Sequence, residues 1–418
     1  MPLDNKLFRI DPDFLKENQK NRFKPIIEID LTIDLLKQIK ELKFSYDNIN
    51  NKINGIKLLM KKTESVNEEI LKQKNEFKQE SSNLKHQIDN LNSKLKTSIS
   101  KIGNLVDPSV PISNNEKDNL VIKTWGEPKK INNPIPHHKL LEMIIGYDQM
   151  RGVNVSGHRG YFLLNEIVLL NQALINYSLD FLIEKGYTAI QPPYFMNKDV
   201  MAKTAQLEQF DEELYQVNED KYLIATSEQP LTAFHMDELL FVKNLPLKYA
   251  GYSTNFRKEG GGHGLQNNGI YRIHQFEKVE QFCITTPETS KEMHQKMLSI
   301  CEEFYQSLEL PYRIVTIVSG ALNNAAAIKY DLEAWFYSYN EYRELVSCSN
   351  CTDYQSRALN IKCNDKNKSY VHMLNSTLCA TERTITCILE NYQTETGIQI
   401  PKILIPYMRN KEFIPFKK

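Results

Sequence analysis

Arginine, glutamate and a run of glycines stand together at 257-RKEGGGHG-264, and a strand-like stretch, 270-IYRIHQFEKVEQF-282, follows closely. Glycines beside cationic side chains are the material of a phosphate loop. That reading fails here, because a Walker loop needs G-x-x-x-x-G-K-[ST], and Gly260–Gly262 are followed by His263 and Gly264 with no Lys-Ser/Thr. The dinucleotide fingerprint fails as well, since these glycines link two strands and do not open a helix. They read as a hairpin. Side chains two apart on a strand share a face, so Arg257 and Glu259 point one way, and Arg272, His274, Phe276, Lys278 and Glu280 form a second row. Arginine neutralises a polyphosphate, phenylalanine stacks on a base, and glutamate holds an ammonium. The set suits a nucleotide beside an amine-bearing substrate; the plainer alternative is the solvated face of an edge hairpin.

Two other places carry candidate chemistry. Arg383 stands before an apolar helical pattern, Ile385, Ile388, Leu389 and Tyr392, where a rigid helix can aim a charge. Cys348 and Cys351 form a CxxC, but zinc wants two further ligands at suitable spacing, and no H-E-x-x-H accompanies them.

The elements that must position these residues fall into two textures. From Leu35 the apolar positions run Leu35, Ile39, Leu42, Tyr46, Ile49, Ile53, Ile56, Met60, in alternating steps of four and three. That is the seam of a helix packed on another helix. Gly55 is its one interior glycine, a weakening of about 1 kcal/mol. Ser65 with Glu68 fits a capping box opening a second helix, which runs to about Ile102 with Val66, Ile70, Phe77, Leu84, Ile88, Leu91 and Leu95 facing back. An antiparallel two-helix arm over about 31–103 is expected, projecting about 45 Å. It holds 14 lysines against 9 acidic residues, a local excess that suits nucleic-acid backbone. A solvated surface or a dimerisation coiled coil would use the same pattern.

Polar, proline-bearing stretches at 107–119 and 132-NNPIPHH-138 mark a connector over 107–138. Beyond it, a helix-like block at 164–185 alternates with strands at 222–226, 270–282, 313–319, 328–336 and 343–349. Without a regular βαβ beat, these predict a mostly antiparallel mixed sheet with flanking helices, an α+β domain over 139–418. The whole chain has 418 residues and 52 basic against 52 acidic groups, so bulk charge directs it to no partner and any nucleic-acid contact must be local. Seven scattered cysteines do not form a disulfide framework. The opening MPLDNKLFRIDPDF lacks the apolar core of a signal peptide, and no run of 18 apolar residues occurs, so no membrane partner is expected.

The opening stretch, together with 226-TSEQP-230, resembles the motif 2 region of class II aminoacyl-tRNA synthetases, and specifically seryl-tRNA synthetases of the common, eukaryotic cytosolic type. Ordered blocks extend the similarity over nearly the whole chain: 8-FR-9, 23-FK-24, 103-GNLV-106, 158-HRGYFL-163, 186-GYTAIQPPYFM-196, 207-LEQFDEELYQV-217, 325-AAAIKYDLEAWF-336, 343-RELVSCSNCTDYQSR-357 and 374-LNSTLCATERTITCILENYQTETGI-398.

The resemblance implies a fold, a reaction and a set of roles. The fold would be a class II synthetase catalytic domain behind an N-terminal tRNA-binding domain, residues 1–106, whose coiled-coil arm grips the long variable arm of serine tRNA. The reaction would join L-serine to ATP and then to the tRNA acceptor end, in a cytoplasmic homodimer whose arm from one subunit serves the other. Thr226, Glu228, Arg257, Glu280, Asn375 and Thr377 would hold serine. Arg257, Glu259, Arg272, Phe276, Glu344, Ser347 and Arg383 would hold ATP, with Arg257, Glu259 and Arg383 acting in catalysis and Glu344 and Ser347 on the ATP-bound Mg²⁺. Pro193 would be the motif 1 proline at the dimer interface. One departure stands out: Leu265, Gln266, Asn267 and Asn268 replace the family's usual Arg-Asp-Thr-Arg, removing two positive charges. Tyr337, where proline is common, is a turn variation. The rival reading is a synthetase-like tRNA-binding or scaffold protein without full aminoacylation activity.

Overall fold

A computed structural model describes residues 2–62, 68–204, 213–259 and 269–417. The chain divides into two compact units, one spanning Leu3–Gly103 and the other Asn104–Lys418. The long helices are numbered α1–α5 below, and the strands of the large sheet β1–β8.

The first unit opens with two short helices. The second of these, Pro12–Asn21, is started by proline at its first turn and by the Asp11 carboxylate accepting from the Phe14 amide at 3.0 Å. Then come α1 (Ile27–Lys62) and α2 (Glu68–Ser100). They are antiparallel, because bonded partners converge along the chain: Thr32 with Ser98 at 2.9 Å, Asn50 with Ser81 at 3.0 Å, and Met60 with Lys74 at 3.6 Å. Leu35, Ile39, Ile49, Ile53, Ile56, Ile88 and Leu95 are buried along the seam, as the four–three spacing predicts. Gly55 faces open space, so its cost is conformational only. At 36 residues, α1 spans about 54 Å. The expected capping residue Ser65 lies outside the described residues, as do Val66, His263 and the Leu265–Asn268 substitution.

The second unit is built on an eight-stranded sheet. Its strands are β1 (Leu120–Trp125), β2 (Thr188–Ile190), β3 (Leu247–Phe256), β4 (Gln275–Thr285), β5 (Tyr312–Thr316), β6 (Ile328–Phe336), β7 (Glu341–Asn350) and β8 (His372–Ala380). They lie in the order β1-β5-β6-β7-β8-β4-β3-β2. Every pairing is antiparallel except β2 with β3. The segment 107–138, read above as a connector, contributes β1 to the sheet edge, with Leu120 opposite Thr316. The helices α3 (Glu166–Glu184), α4 (Ser290–Ser307) and α5 (Thr381–Asn391) bury Leu170, Leu174, Phe304, Tyr305, Ile385 and Ile388 in one core with the sheet. By length and composition α3 could cross a membrane, and half of it is buried inside this protein.

Two sequence expectations need correction. The strand expected from Ile270 begins at Gln275; residues 270–274 are turn and bend, so Arg272 and His274 are not in the alternating row. Likewise β3 ends at Phe256, and Arg257 and Glu259 follow it, Glu259 with a left-handed φ of 48°. The chain still stays paired just beyond the ladder, through the Arg257 amide donating to the His274 carbonyl at 2.8 Å.

Candidate active site

Three central strands, β4, β8 and β7, present their polar residues to one cleft. On β4 the alternation holds, and Phe276, Lys278 and Glu280 all point into it. On β8 and β7 the lining residues each include one step of three, Thr377 to Ala380 and Glu344 to Ser347, which a regular strand would send to opposite faces. Bulges correct this. Opposite Val279–Glu280 the partner steps from Cys379 to Thr377, so Leu378 is the extra residue, and Asn375, Thr377 and Ala380 all line the cleft. Opposite Leu332–Glu333 the partner steps from Val346 to Glu344, so Leu345 is extra, and Glu344 joins Ser347 and Ser349. A bulge re-aims side chains in this way by inserting one residue into one strand.

The roof comes from segments outside the sheet. Gly251 on β3 lies opposite Glu280, and a Cβ there would come within 3.0 Å of the Ser227 hydroxyl. Bare backbone at this point lets the short helix Glu228–Ala233 rest on the sheet, with Thr226 and Glu228 over Glu280. Arg257 is held by its Nε donating to the Ala225 carbonyl at 3.2 Å, and its guanidinium lies 5.0 Å from the Phe276 ring centroid. Arg383, in the first turn of α5, stands 5.1 Å over the Tyr271 ring and 3.6 Å from Glu344. Arg272 pairs with Glu259, whose backbone carbonyl accepts from the buried Arg159 at 3.0 Å.

The two ends of the cleft differ in charge. At one end Lys278 ion-pairs with Glu280 and donates to the Thr226 hydroxyl at 2.8 Å, which is itself 3.1 Å from Glu280. Beside them Glu228 accepts from Asn375 at 3.0 Å and Gln355 at 3.1 Å. Burial, then the charge of Glu280, pushes the Glu228 carboxyl up to about 7. At the other end, enclosure would raise Glu344, but the positive charge of Arg383, then Lys329, Arg257 and Lys278, outweighs it and holds the group below the ordinary glutamate value. The cleft thus offers a carboxylate-rich corner for a cation and an arginine-rich corner for an anion, with the half-buried Phe276 ring in the same lining.

The residues that the resemblance assigns to serine and ATP all line this one cleft, whereas Pro193, His274, Cys348 and Cys351 do not. Pro193 is exposed on the segment after β2. His274 turns away and lines a neighbouring cavity, donating from Nδ1 to the Arg257 carbonyl at 2.9 Å.

Comparison with known proteins agrees with this geometry. Residues 3–106 match the family described as seryl-tRNA synthetase N-terminal domain, and residues 209–392 the tRNA synthetase class II core domain of the G, H, P, S and T enzymes. The cytoplasmic serine–tRNA ligase of Dictyostelium discoideum is 56% identical over 433 residues, covering 100% of this chain and 96% of its own length. The chain belongs to the seryl-tRNA synthetase family. Among solved structures, the cytoplasmic serine–tRNA ligase of Naegleria fowleri in complex with AMP superposes with a TM-score of 0.88 at 44% identity, covering 100% of this chain and 99% of that one. Seryl-tRNA synthetase from Pyrococcus horikoshii complexed with ATP gives 0.92 at 38% identity, with 100% of both chains covered.

For a member of this family the donor set on β7 is apt. Glu344 and Ser347 both line the cleft with oxygen donors, the donor chemistry that suits a hard divalent cation. Cys348 and Cys351 are both buried free thiols; burial raises Cys348 well above the ordinary thiol range. Reading the sequence misses several supporting groups. Tyr271 has the guanidinium of Arg383 5.1 Å and that of Arg343 4.6 Å from its ring centroid. Gln355 braces Glu228, and Glu382 receives the Glu277 amide at 3.0 Å and the Tyr161 hydroxyl at 3.0 Å. The two-residue step to Lys278 is the one sequence signal for its place in the cleft.

Proposed function

We propose that the protein is a serine–tRNA ligase of the cytoplasm, activating L-serine with ATP and passing it to the 3′ end of serine tRNA. The observation that carries this reading is the single cleft with a carboxylate corner at one end, an arginine corner at the other and the half-buried Phe276 ring in its lining.

Serine lies in the carboxylate corner, its ammonium against Glu280 and Thr226, its hydroxyl among Glu228, Asn375 and Thr377. A pocket that hydrogen-bonds the hydroxyl rejects alanine, because its polar groups would be left unpaired. Adenine stacks on Phe276, Arg257 spans the serine carboxylate and the α-phosphate with Glu259 near the nucleotide, and Arg272 and Arg383 take the distal phosphates. Mg²⁺ held by Glu344 and Ser347 supplies neutralisation of phosphate charge. A serine carboxylate oxygen then bonds to the α-phosphorus, the bond to the bridging oxygen breaks, and pyrophosphate leaves with its electron pair. No side-chain nucleophile is needed; alignment and preorganised positive charge do the catalytic work. In the second step the terminal adenosine hydroxyl of tRNA attacks the mixed anhydride and AMP leaves.

Residues 1–106 form the tRNA-binding domain in this reading, and the segment 107–138, which adds β1 to the large sheet, belongs with 139–418 in the catalytic domain. The arm grips the tRNA backbone by charge and shape. Pro193 belongs to the interface of a homodimer. The Leu265–Asn268 loop leaves adenylation intact and weakens acceptor-end docking; restoring both arginines with no change in charging kinetics across tRNA concentrations would remove that idea. Serine-dependent ATP–pyrophosphate exchange, with alanine and threonine as controls, tests the central reading. Exchange with serine alone supports it. A folded protein without exchange leaves the synthetase-like tRNA-binding alternative.

A further inference from the structure

The carboxylate corner already holds an ammonium group. Lys278 is 6% exposed and Glu280 2%, so their ion pair is closed off from water. The lysine Nζ is also 2.8 Å from Thr226 Oγ1. It therefore occupies the two groups that the proposed function gives to the substrate ammonium, and the inference rests on that reading. Two ammonium groups cannot share one carboxylate oxygen and one hydroxyl in so dry a corner, where like charges repel strongly. The corner nevertheless has capacity for a second cation. Glu228 and Glu280 are two carboxylates served by one lysine, and Asn375 and Gln355 both donate to the same Glu228 oxygen, Oε1. Lys278 already acts on Glu228 electrostatically, lowering its affinity for a proton.

We propose that Lys278 is a built-in occupant of the amine subsite: it fills the place of the substrate ammonium in the empty cleft, yields Glu280 and Thr226 when a primary ammonium enters, and turns to Glu228. It is a positioning residue. In the empty site it keeps Glu280 partnered and aimed, since a buried carboxylate left without a partner is costly. It also sets a threshold for ligands. An amino acid brings a carboxylate to Arg257 and so offsets the cost of displacing the lysine, whereas a simple amine brings nothing to offset it.

Ethanolamine, which has the ammonium and hydroxyl of serine without the carboxylate, isolates that threshold. Its binding is measured by calorimetry at pH 8 on the wild-type protein and on Lys278→Met, Lys278→Gln and Lys278→Arg. The neutral variants are expected to bind it about tenfold more tightly than wild type, because no internal cation has to leave, and the arginine variant within about twofold of wild type. Wild-type binding too weak to fit, beside a measurable constant in either neutral variant, supports the proposal equally. Equal or weaker binding by both folded neutral variants overturns it. A purely structural lysine would lower melting temperature in Met and Gln without this gain in amine affinity. Serine-dependent exchange by the wild type reports separately on the proposed reaction: the amine gain without exchange keeps the built-in occupant and removes serine as its natural competitor.

Discussion

Along the arm, Leu35, Ile39, Ile53 and Ile88 are buried and lysines such as Lys78, Lys85 and Lys96 stand in water, whereas in the cleft the charged residues Lys278 and Glu280 are themselves buried. The consequences are opposite. A charge in water is screened and one lysine can replace another, so an arm made this way spreads its contribution over many weak contacts. A charge taken from water is held by named partners, and losing one member strands the rest. The arm's task should fail gradually under substitution, and the cleft's abruptly.

The largest test of that contrast is Arg383→Ala. This guanidinium stands over Tyr271 and faces Glu344. Its loss should lower the rate of serine-dependent pyrophosphate exchange by about 10³-fold, the scale for removing a preorganised charge-stabilising group. Melting temperature should move little. A fall below tenfold would mean that the arginine corner is as redundant as the arm.

Next is excision of residues 35–95 with a short Gly-Ser closure, which keeps the base of the hairpin. Exchange should stay within about twofold of wild type, while kcat/KM for tRNA charging should drop about 100-fold as the distributed phosphate contacts are lost together. Parallel loss of exchange and charging would break the division of labour, since it would make the arm part of the amino-acid site.

The two regions also differ in how legible they are in the amino-acid sequence. The seam from Leu35 to Met60 is legible because helical spacing is local and the partner helix is the next element. Phe276, Lys278 and Glu280 are legible for the same reason, two-residue alternation on one strand. Glu344 with Ser347 and Thr377 with Ala380 are not, because steps of three share a face only where Leu345 and Leu378 bulge out, and a bulge is set by the neighbouring strand. Alternation alone puts His274 in the wrong row, because nothing local says that pairing with β3 in a regular ladder begins at Gln275. The roles of Asn375 and Glu344 come from family resemblance alone. Braces such as Gln355 and Glu382 are invisible in the sequence, since their partners lie far away in the chain.

Glu382 supplies a gentler test through pH. Burial, then the charge of Glu277, pushes its carboxyl up to about 7. A carboxyl raised above its unfolded value binds more protons in the folded protein, so its effect is destabilising as pH rises from about 4.5 through 7. Replacing it by Gln should remove on the order of 2 kcal/mol of stability loss between pH 5 and pH 8, measured by chemical denaturation at several pH values. Glu228 and Asp331, both raised to about 7, keep their share of the slope in the variant. An unchanged slope would show that Glu382 is ionised throughout, with Tyr161 and the Glu277 amide sufficient to hold the charge.

The smallest effect belongs to the arm. Lys85 is exposed on α2, among lysines that outnumber the acidic residues of the hairpin. Lys85→Gln should weaken tRNA binding only about twofold, and the slope of log affinity against log salt should fall by no more than about 0.9, one phosphate contact's worth. Exchange should not change. Combining it with Lys78→Gln and Lys96→Gln should add the losses nearly independently, because exposed sites this far apart on a helix share no partner. A single lysine that cost 100-fold would contradict the comparison most directly: it would mean that the arm, like the cleft, holds one charge in a place where no other can serve.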